Sequence, residues 1–421
     1  MEFFTLEALP AQHGDCLILH YGSDGEPGTV LIDGGPSGTW RRSLEPRLKA
    51  LSEARGDGFV IDLLMVSHID DDHIVGIVDF TGAWLQAKED GRPWPYPVSE
   101  FWHNSFERIS NTDMTKVTAS VLASTGGTGN LEDLQPDDES KIDAKDAYAA
   151  AKVLLASVAK GSRLRGDIKK LEIDKNTGFD GLVRPGVGEV PYKLGSELTL
   201  HIAGPLKDQL DALRNQFAKE LPPASPLAAY VDESVPNLSS IVVLAAFKGK
   251  TMLLTGDARG DYVLDGLKQE KLLDAAGRIH VDILKLQHHG SVRNTEDEFY
   301  ERVTADHYVV SADGRFGNPD RETFRLLIDA RGKDAEYKIW VTYPVASLDA
   351  ARKKEWEEDR ARKTEKAKTK PKTKIPVAWD DARDSIATLI ADRKAAGFAF
   401  QLMEPAPGRG AKIDLLDPID F

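Results

Sequence analysis

Ser67-His68-Ile69-Asp70-Asp71-Asp72-His73 decides the reading of this chain, because two imidazoles and three carboxylates fall within the six positions from His68 to His73. Just before it, Ile61-Asp62-Leu63-Leu64-Met65-Val66 has the length and apolar content of a buried strand. Behind it, Ile74-Val75-Gly76-Ile77-Val78 reads as the start of a helix or turn packed beneath. The cluster therefore stands at the C-terminal end of a strand, where α/β proteins place their chemistry. Adjacent aspartates repel one another unless a cation is bound, so the run reads as a metal site. The competing reading is a solvated acidic loop with two incidental histidines.

Other strand ends carry the same residue types. Asp33 follows Val30-Leu31-Ile32, Asp257 follows Met252-Leu253-Leu254-Thr255-Gly256, and His288-His289 follow Ile283-Leu284-Lys285-Leu286-Gln287. In a chain with ten histidines, this recurrence is hard to ascribe to chance.

The 421 residues suffice for a large core, as one elaborated domain or as two to three units. A 41% hydrophobic and 29% charged composition is that of a globular protein. No apolar run approaches a membrane span, and Met1-Glu2-Phe3-Phe4-Thr5 lacks the basic start of a signal peptide, so a cytoplasmic location without membrane contact is expected. Cys16, the single cysteine, excludes intrachain disulfides and reads as a small buried hydrophobe in Cys16-Leu17-Ile18-Leu19. A net charge of −14 argues against a broad nonspecific nucleic-acid surface, while leaving room for a local basic groove or a small anionic substrate.

Along the chain, residues 1–105 alternate short strands with Gly/Asp turns (Phe3 to Leu9, Cys16 to Tyr21, Val30 to Ile32). Residues 106–192 read as a mainly helical insertion, with Ser/Thr/Gly loops such as Ser124 to Asn130 and a helix bearing Tyr148, Ala151, Leu155 and Val158 on one face. Strands resume over 193–350 at Leu198–Ile202, Ile241–Phe247, Thr251–Leu254, Val281–Leu286 and Tyr308–Val310. Residues 351–376 read as a charged helix passing into a linker, whose basic part, Arg362 to Lys374, reads as solvated, the alternative being a nucleic-acid contact. In the remaining extension, 377–421, Phe398–Leu402 and Lys412–Leu416 are expected to add a hairpin.

The chain resembles the metallo-β-lactamase superfamily, and within it the hydrolase domains of ComEC-type DNA-uptake proteins. The resemblance rests on His13-Gly14-Asp15-Cys16-Leu17-Ile18-Leu19 with Leu31-Ile32-Asp33-Gly34-Gly35, and on Ser67 to His73. It continues in Asn237-Leu238-Ser239-Ser240 before a strand, in Leu254-Thr255-Gly256-Asp257, and in His288-His289-Gly290-Ser291. It covers about residues 1–105 and 195–330, and it implies an αββα sandwich with metals at one edge between two sheets.

The resemblance also implies site roles. His68 and Asp70 would bind a first metal, Asp72 and His73 a second, and Asp257 would bridge. His288 is the first choice for the last ligand, with His289 close behind, and Asp33 would orient the site. The family's second motif is His-x-His-x-Asp-His, whereas here it is His68-x-Asp70-x-Asp72-His73. The third motif's usual His aligns with Asn237, an amide ligand at most. A harder, oxygen-rich first position favours manganese over zinc, with two divalent ions preferred to one. Asp15 is placed at the same edge, either lining it or simply forming a turn. Ser291 and Asn294 are candidate substrate contacts. His103, in Phe101-Trp102-His103-Asn104, is a candidate proton donor, against a packed structural histidine.

The implied activity is hydrolysis by a metal-bound hydroxide, with Asp72 and Asp257 at the catalytic centre, on a phosphodiester: a nuclease or nucleotide phosphodiesterase. By analogy alone, it would serve in a bacterial defence system. Alternatives are a hydrolase of a small ester, lactone or thioester, and a catalytically weak partner-binding module. A protein partner would use the insertion or the 351–376 region; the oligomeric state is not legible.

Overall fold

The computed structural model describes residues 1–105, 108–109, 147–188, 191–195, 197–211, 239–295 and 298–420. The first sheet begins as an antiparallel meander of β1 (Glu2–Ala8), β2 (Leu17–Ser23) and β3 (Glu26–Ile32). It then turns parallel through β4 (Ile61–Val66), β5 (Val98–His103) and the short β6 (Asp174–Lys175). The second sheet repeats this plan. β7 (Tyr192–Leu194), β8 (Leu198–Gly204), β9 (Val242–Phe247) and β10 (Lys250–Leu254) are antiparallel, and β11 (Ile279–Lys285), β12 (Val303–Val310) and β13 (Lys338–Val341) continue in parallel. Each sheet thus switches from antiparallel to parallel at the pairs β3/β4 and β10/β11. Strand C-termini at such a switch leave a crevice that loops can furnish.

Alternation along the strands sorts side chains into layers. Leu17, Leu19, Val30, Ile32, Leu63 and Met65 face Val243, Ala245, Met252, Leu254 and Ile283 across the space between the sheets. Ile18, Leu31, Leu64 and Val66 face outward, under helices α1 (Glu45–Arg55), α2 (Asp71–Glu89) and α3 (Ala147–Leu171). The outer face of the second sheet is covered by α4 (Gly260–Gln269), α5 (Arg321–Arg331), α6 (Val345–Thr369) and α7 (Ile386–Ala395). These four layers form the expected αββα sandwich.

The run after β4 continues straight into α2, whose first turn holds Asp71 and Asp72, where carboxylates suit the helix dipole. Asp71 turns away from the other aspartates and pairs with Lys160 of α3, with Ser157 donating to it at 3.3 Å. This contact ties the insertion to the start of α2, while Leu164 and Ile168 bury beside Ile74, Ile77 and Phe80. The glycines and loop at Ser124 to Asn130 and the side chains of Tyr148, Ala151, Leu155 and Val158 lie outside the described residues.

The C-terminal tail corrects one expectation. Its two strands form no hairpin: β14 (Gln401–Met403) lies parallel to β13 at one edge of the second sheet, and β15 (Ala411–Asp414) pairs antiparallel with β1 at an edge of the first. Two free sheet edges each offered a row of unpaired backbone groups, and the tail covers both. Phe400 stacks on Tyr337 with centroids 5.8 Å apart, and Ile413 enters the core between the sheets, which anchors the two segments separately.

Candidate metal centre

The chain from β3 leaves its strand through Asp33, whose φ of +58° is the left-handed region. That bend lays Gly34 and Gly35 against α2. The Gly34 amide donates to the His73 carbonyl at 2.8 Å and the Gly76 amide to the Gly35 carbonyl at 2.9 Å. A Cβ on Gly76 would stand 1.9 Å from the Gly34 carbonyl oxygen, so only glycine permits this approach. The bend also aims the Asp33 carboxylate at three donors: the Ser67 amide at 2.7 Å, the Ser67 hydroxyl at 2.6 Å and His73 Nδ1 at 2.8 Å. With its Nδ1 proton given to Asp33, His73 turns Nε2 toward the space between the sheets.

His289 is oriented from the other sheet in the same way, through Nδ1 to the Ser311 carbonyl at 3.0 Å. The two Nε2 atoms face each other at 3.2 Å. Asp257 Oδ1 lies 3.2 Å from His73 Nε2, and Asp72 Oδ2 lies 3.2 Å from His289 Nε2. Ligand atoms of Asp15, His73, Asp257 and His289 gather within 4.8 Å of one another, and so do those of His68, Asp72 and His73. The buried atoms His68 Nε2, Asp257 Oδ1, Asp15 Oδ1 and His13 Nδ1 have no hydrogen-bond partner among the described residues. Inward lone pairs, orphaned buried acceptors and mixed imidazole–carboxylate donors together fit a divalent cation.

Electrostatics agree. Burial works to raise the Asp257 carboxyl, but His289, His73 and His288 outweigh it and hold it well below the usual range. Burial works to lower the His73 imidazole, but Asp257, Asp72 and Asp33 raise it well above its ordinary value.

The structure brings most of the expected residues to this point. His289 joins the buried cluster, whereas His288, 25% exposed, stands at its mouth with Nε2 3.6 Å from Asp257 Oδ2 and Nδ1 bonded to Asn294. Asp70 lies 3.6 Å from His68 Nε2 without entering either compact group. Asp15 is in the cluster. Ser291 is buried in the turn that follows, its amide donating to the His288 carbonyl. His103 stays apart: it is buried beneath α3, where a Cβ on Gly161 would lie 3.8 Å from its Nε2, and its pKa is lowered to about 3 by burial and then by Lys175. Asn237 lies outside the described residues.

Several participants escaped the sequence reading. Lys285 is fully buried and paired with Asp15. Its signal was a lysine inside the apolar run Ile283–Leu286, two residues beyond an inward-facing isoleucine. His13 also belongs here, its pKa lowered to about 4 by burial against the pull of Asp72. The hydroxyls of Ser67 and Ser240 brace the loops, Ser240 Oγ accepting from the Asp257 amide at 3.2 Å, while Asn294, expected as a substrate contact, donates to the Asp257 carbonyl at 2.9 Å.

Against known proteins, residues 14–108 match the model of the metallo-beta-lactamase superfamily. Together with the four layers and the strand-end cluster, that match supports the fold. The chain has the metallo-β-lactamase fold. ComE operon protein 3 of Bacillus subtilis (strain 168) is 29% identical over 98 residues, which is 23% of this chain and 12% of that protein's length. In this metallo-β-lactamase fold, no described helix is long and apolar enough to cross a membrane.

Proposed function

We propose that the protein is a metal-dependent hydrolase of phosphodiesters, a nuclease or nucleotide phosphodiesterase. The observation that carries this reading is that two compact donor groups share His73, one with His68 and Asp72, the other with Asp15, Asp257 and His289. His73 has one free nitrogen and can serve one ion, so a pair of divalent ions would be linked instead by the Asp257 carboxylate, with Oδ1 3.2 Å from His73 Nε2 and Oδ2 3.8 Å from His68 Nε2. Asp70 flanks the two groups as a further donor. The carboxylate share of the set favours manganese over zinc. Bound ions would supply Lewis acidity and a lowered water pKa.

The chain's own residues position and exclude. Asp33 and the Ser311 carbonyl fix the two inward imidazoles, and Asp257, between them, keeps the two groups together. Burial of all but the mouth keeps bulk water out. We assign leaving-group protonation to His288, which is partly exposed and oriented by Asn294. His103, the other candidate, is fully buried and its pKa is lowered by burial to about 3, which makes it the less accessible of the two. The resemblance to ComEC-type hydrolase domains and the partial match to ComE operon protein 3 support a nucleic-acid or nucleotide substrate.

A substrate panel with metals varied tests the reading. Manganese-dependent cleavage of DNA, RNA or a bis-aryl phosphodiester, lost in Asp72→Ala and Asp257→Ala, is expected. Cleavage of carboxylic esters alone would replace it with an esterase. Stoichiometric metal without turnover on any substrate would point to a binding module.

A further inference from the structure

The loop after β12, Asp313-Gly314-Arg315-Phe316-Gly317-Asn318, holds an anomaly. Phe316 has φ +57° and ψ +17°, a left-handed conformation costly for a bulky side chain, and the residue is 41% exposed. The other exposed large hydrophobics among the described residues are Met1, Ile375 and Val377, at the chain start or in the irregular segment after α6. Phe316 instead sits in a braced loop beside the metal centre. Its ring meets His13 edge-on with centroids 4.9 Å apart, and His13 in turn feels the charges of Asp72 and His289.

The brace comes from three sides. Arg315 donates to Asp313 at 2.8 Å and to Gln12 at 2.8 Å. Arg352 of α6 donates to the Gly317 carbonyl at 3.2 Å, and Glu355 of α6 accepts from the backbone of Phe316 and Gly317. The Asp320 amide donates at 3.0 Å to the carbonyl of Gly290, next to His289. Strain held by so many contacts, at a residue that gains little burial from it, marks function more than packing. An exposed aromatic face beside an anion-processing centre, with an arginine adjoining it, is the composition of a base-stacking platform.

We propose that Phe316 stacks the nucleobase next to the scissile phosphate, making it a specificity-determining residue for nucleotide over base-free phosphodiesters. This rests on the phosphodiester reading for the ligand's class, but its test does not depend on turnover. Binding of thymidine 5′-monophosphate and of deoxyribose 5-phosphate is measured by calorimetry in manganese buffer, on the full chain. Wild type is expected to prefer the nucleotide by about 5- to 150-fold, the span corresponding to one stacked base. Phe316→Ala should erase that preference while leaving the sugar phosphate's affinity unchanged, and Phe316→Tyr should keep it. Phe316→Asn, which suits the left-handed region, should lose the preference without any fall in urea midpoint. Equal weakening of both probes in Phe316→Ala, no preference in wild type, or no binding of either probe would overturn the proposal. Should the preference behave as expected while no phosphodiester is cleaved, only the catalytic reading fails.

Discussion

Lys285→Met probes how the centre tolerates its carboxylates. The Lys285 ammonium is completely buried, paired with Asp15, and 3.5 Å from the Gly256 carbonyl. Two opposite charges about 4 Å apart attract by roughly 4 kcal/mol at an effective dielectric near 20. Removing one partner of a buried pair costs about 3–5 kcal/mol, because the other stays charged and desolvated. His289 Nδ1, 3.4 Å from Asp15 Oδ1, remains as partial compensation, so the lower end, about 3 kcal/mol, is expected. Adding Asp15→Asn removes the stranded charge, so the double variant should lose only about 1 kcal/mol; since Asp15→Asn alone strands Lys285 and costs about 3 kcal/mol as well, the coupling is about 5 kcal/mol. Urea unfolding in the presence of chelator measures all four corners of the cycle. A loss below about 1 kcal/mol in Lys285→Met, or no coupling, would refute the assignment of Lys285 as the electrostatic counterweight of the cluster.

Three further outcomes are expected. His289→Ala should abolish stoichiometric manganese binding, whereas His288→Ala should retain most of it and lose turnover; metal analysis after gel filtration reads the difference. Gly76→Ala should destabilise by about 1–3 kcal/mol or more in urea, since its Cβ meets backbone that cannot rotate away. Finally, the Glu7 carboxyl is held at about 2: burial works to raise it, but His20 and Arg47 outweigh that and lower it from 4.5. Its folded pKa is depressed, so its contribution is complete above pH 4.5 and fades as pH falls toward 2; Glu7→Gln should flatten stability over that window in acid titrations followed by fluorescence.

Much of the architecture was legible because strand alternation and glycine turns are local signals. The strand Ile61–Val66 appears at those bounds as β4, and the ligand types at four strand ends converge because parallel neighbours necessarily present their C-termini together. The tail was misread for a physical reason: Phe398–Leu402 and Lys412–Leu416 look like adjacent strands, and only the presence of two open sheet edges separates them.

Within the site, the sequence by itself determined which residue types meet: His68 to His73, Asp257 and the His288-His289 pair carry their chemistry in their spacing after strands. Tertiary structure decided which way each points. In the left-handed turn at His288 and His289, His289 is buried within the cluster and His288 is left partly exposed at its mouth. α3 draws Asp71 out of the acidic run toward Lys160. β11 delivers Lys285 to Asp15 from a position 270 residues away in the chain. Side-chain direction and long-range charge pairing depend on the packing of both sheets, and no local pattern encodes them.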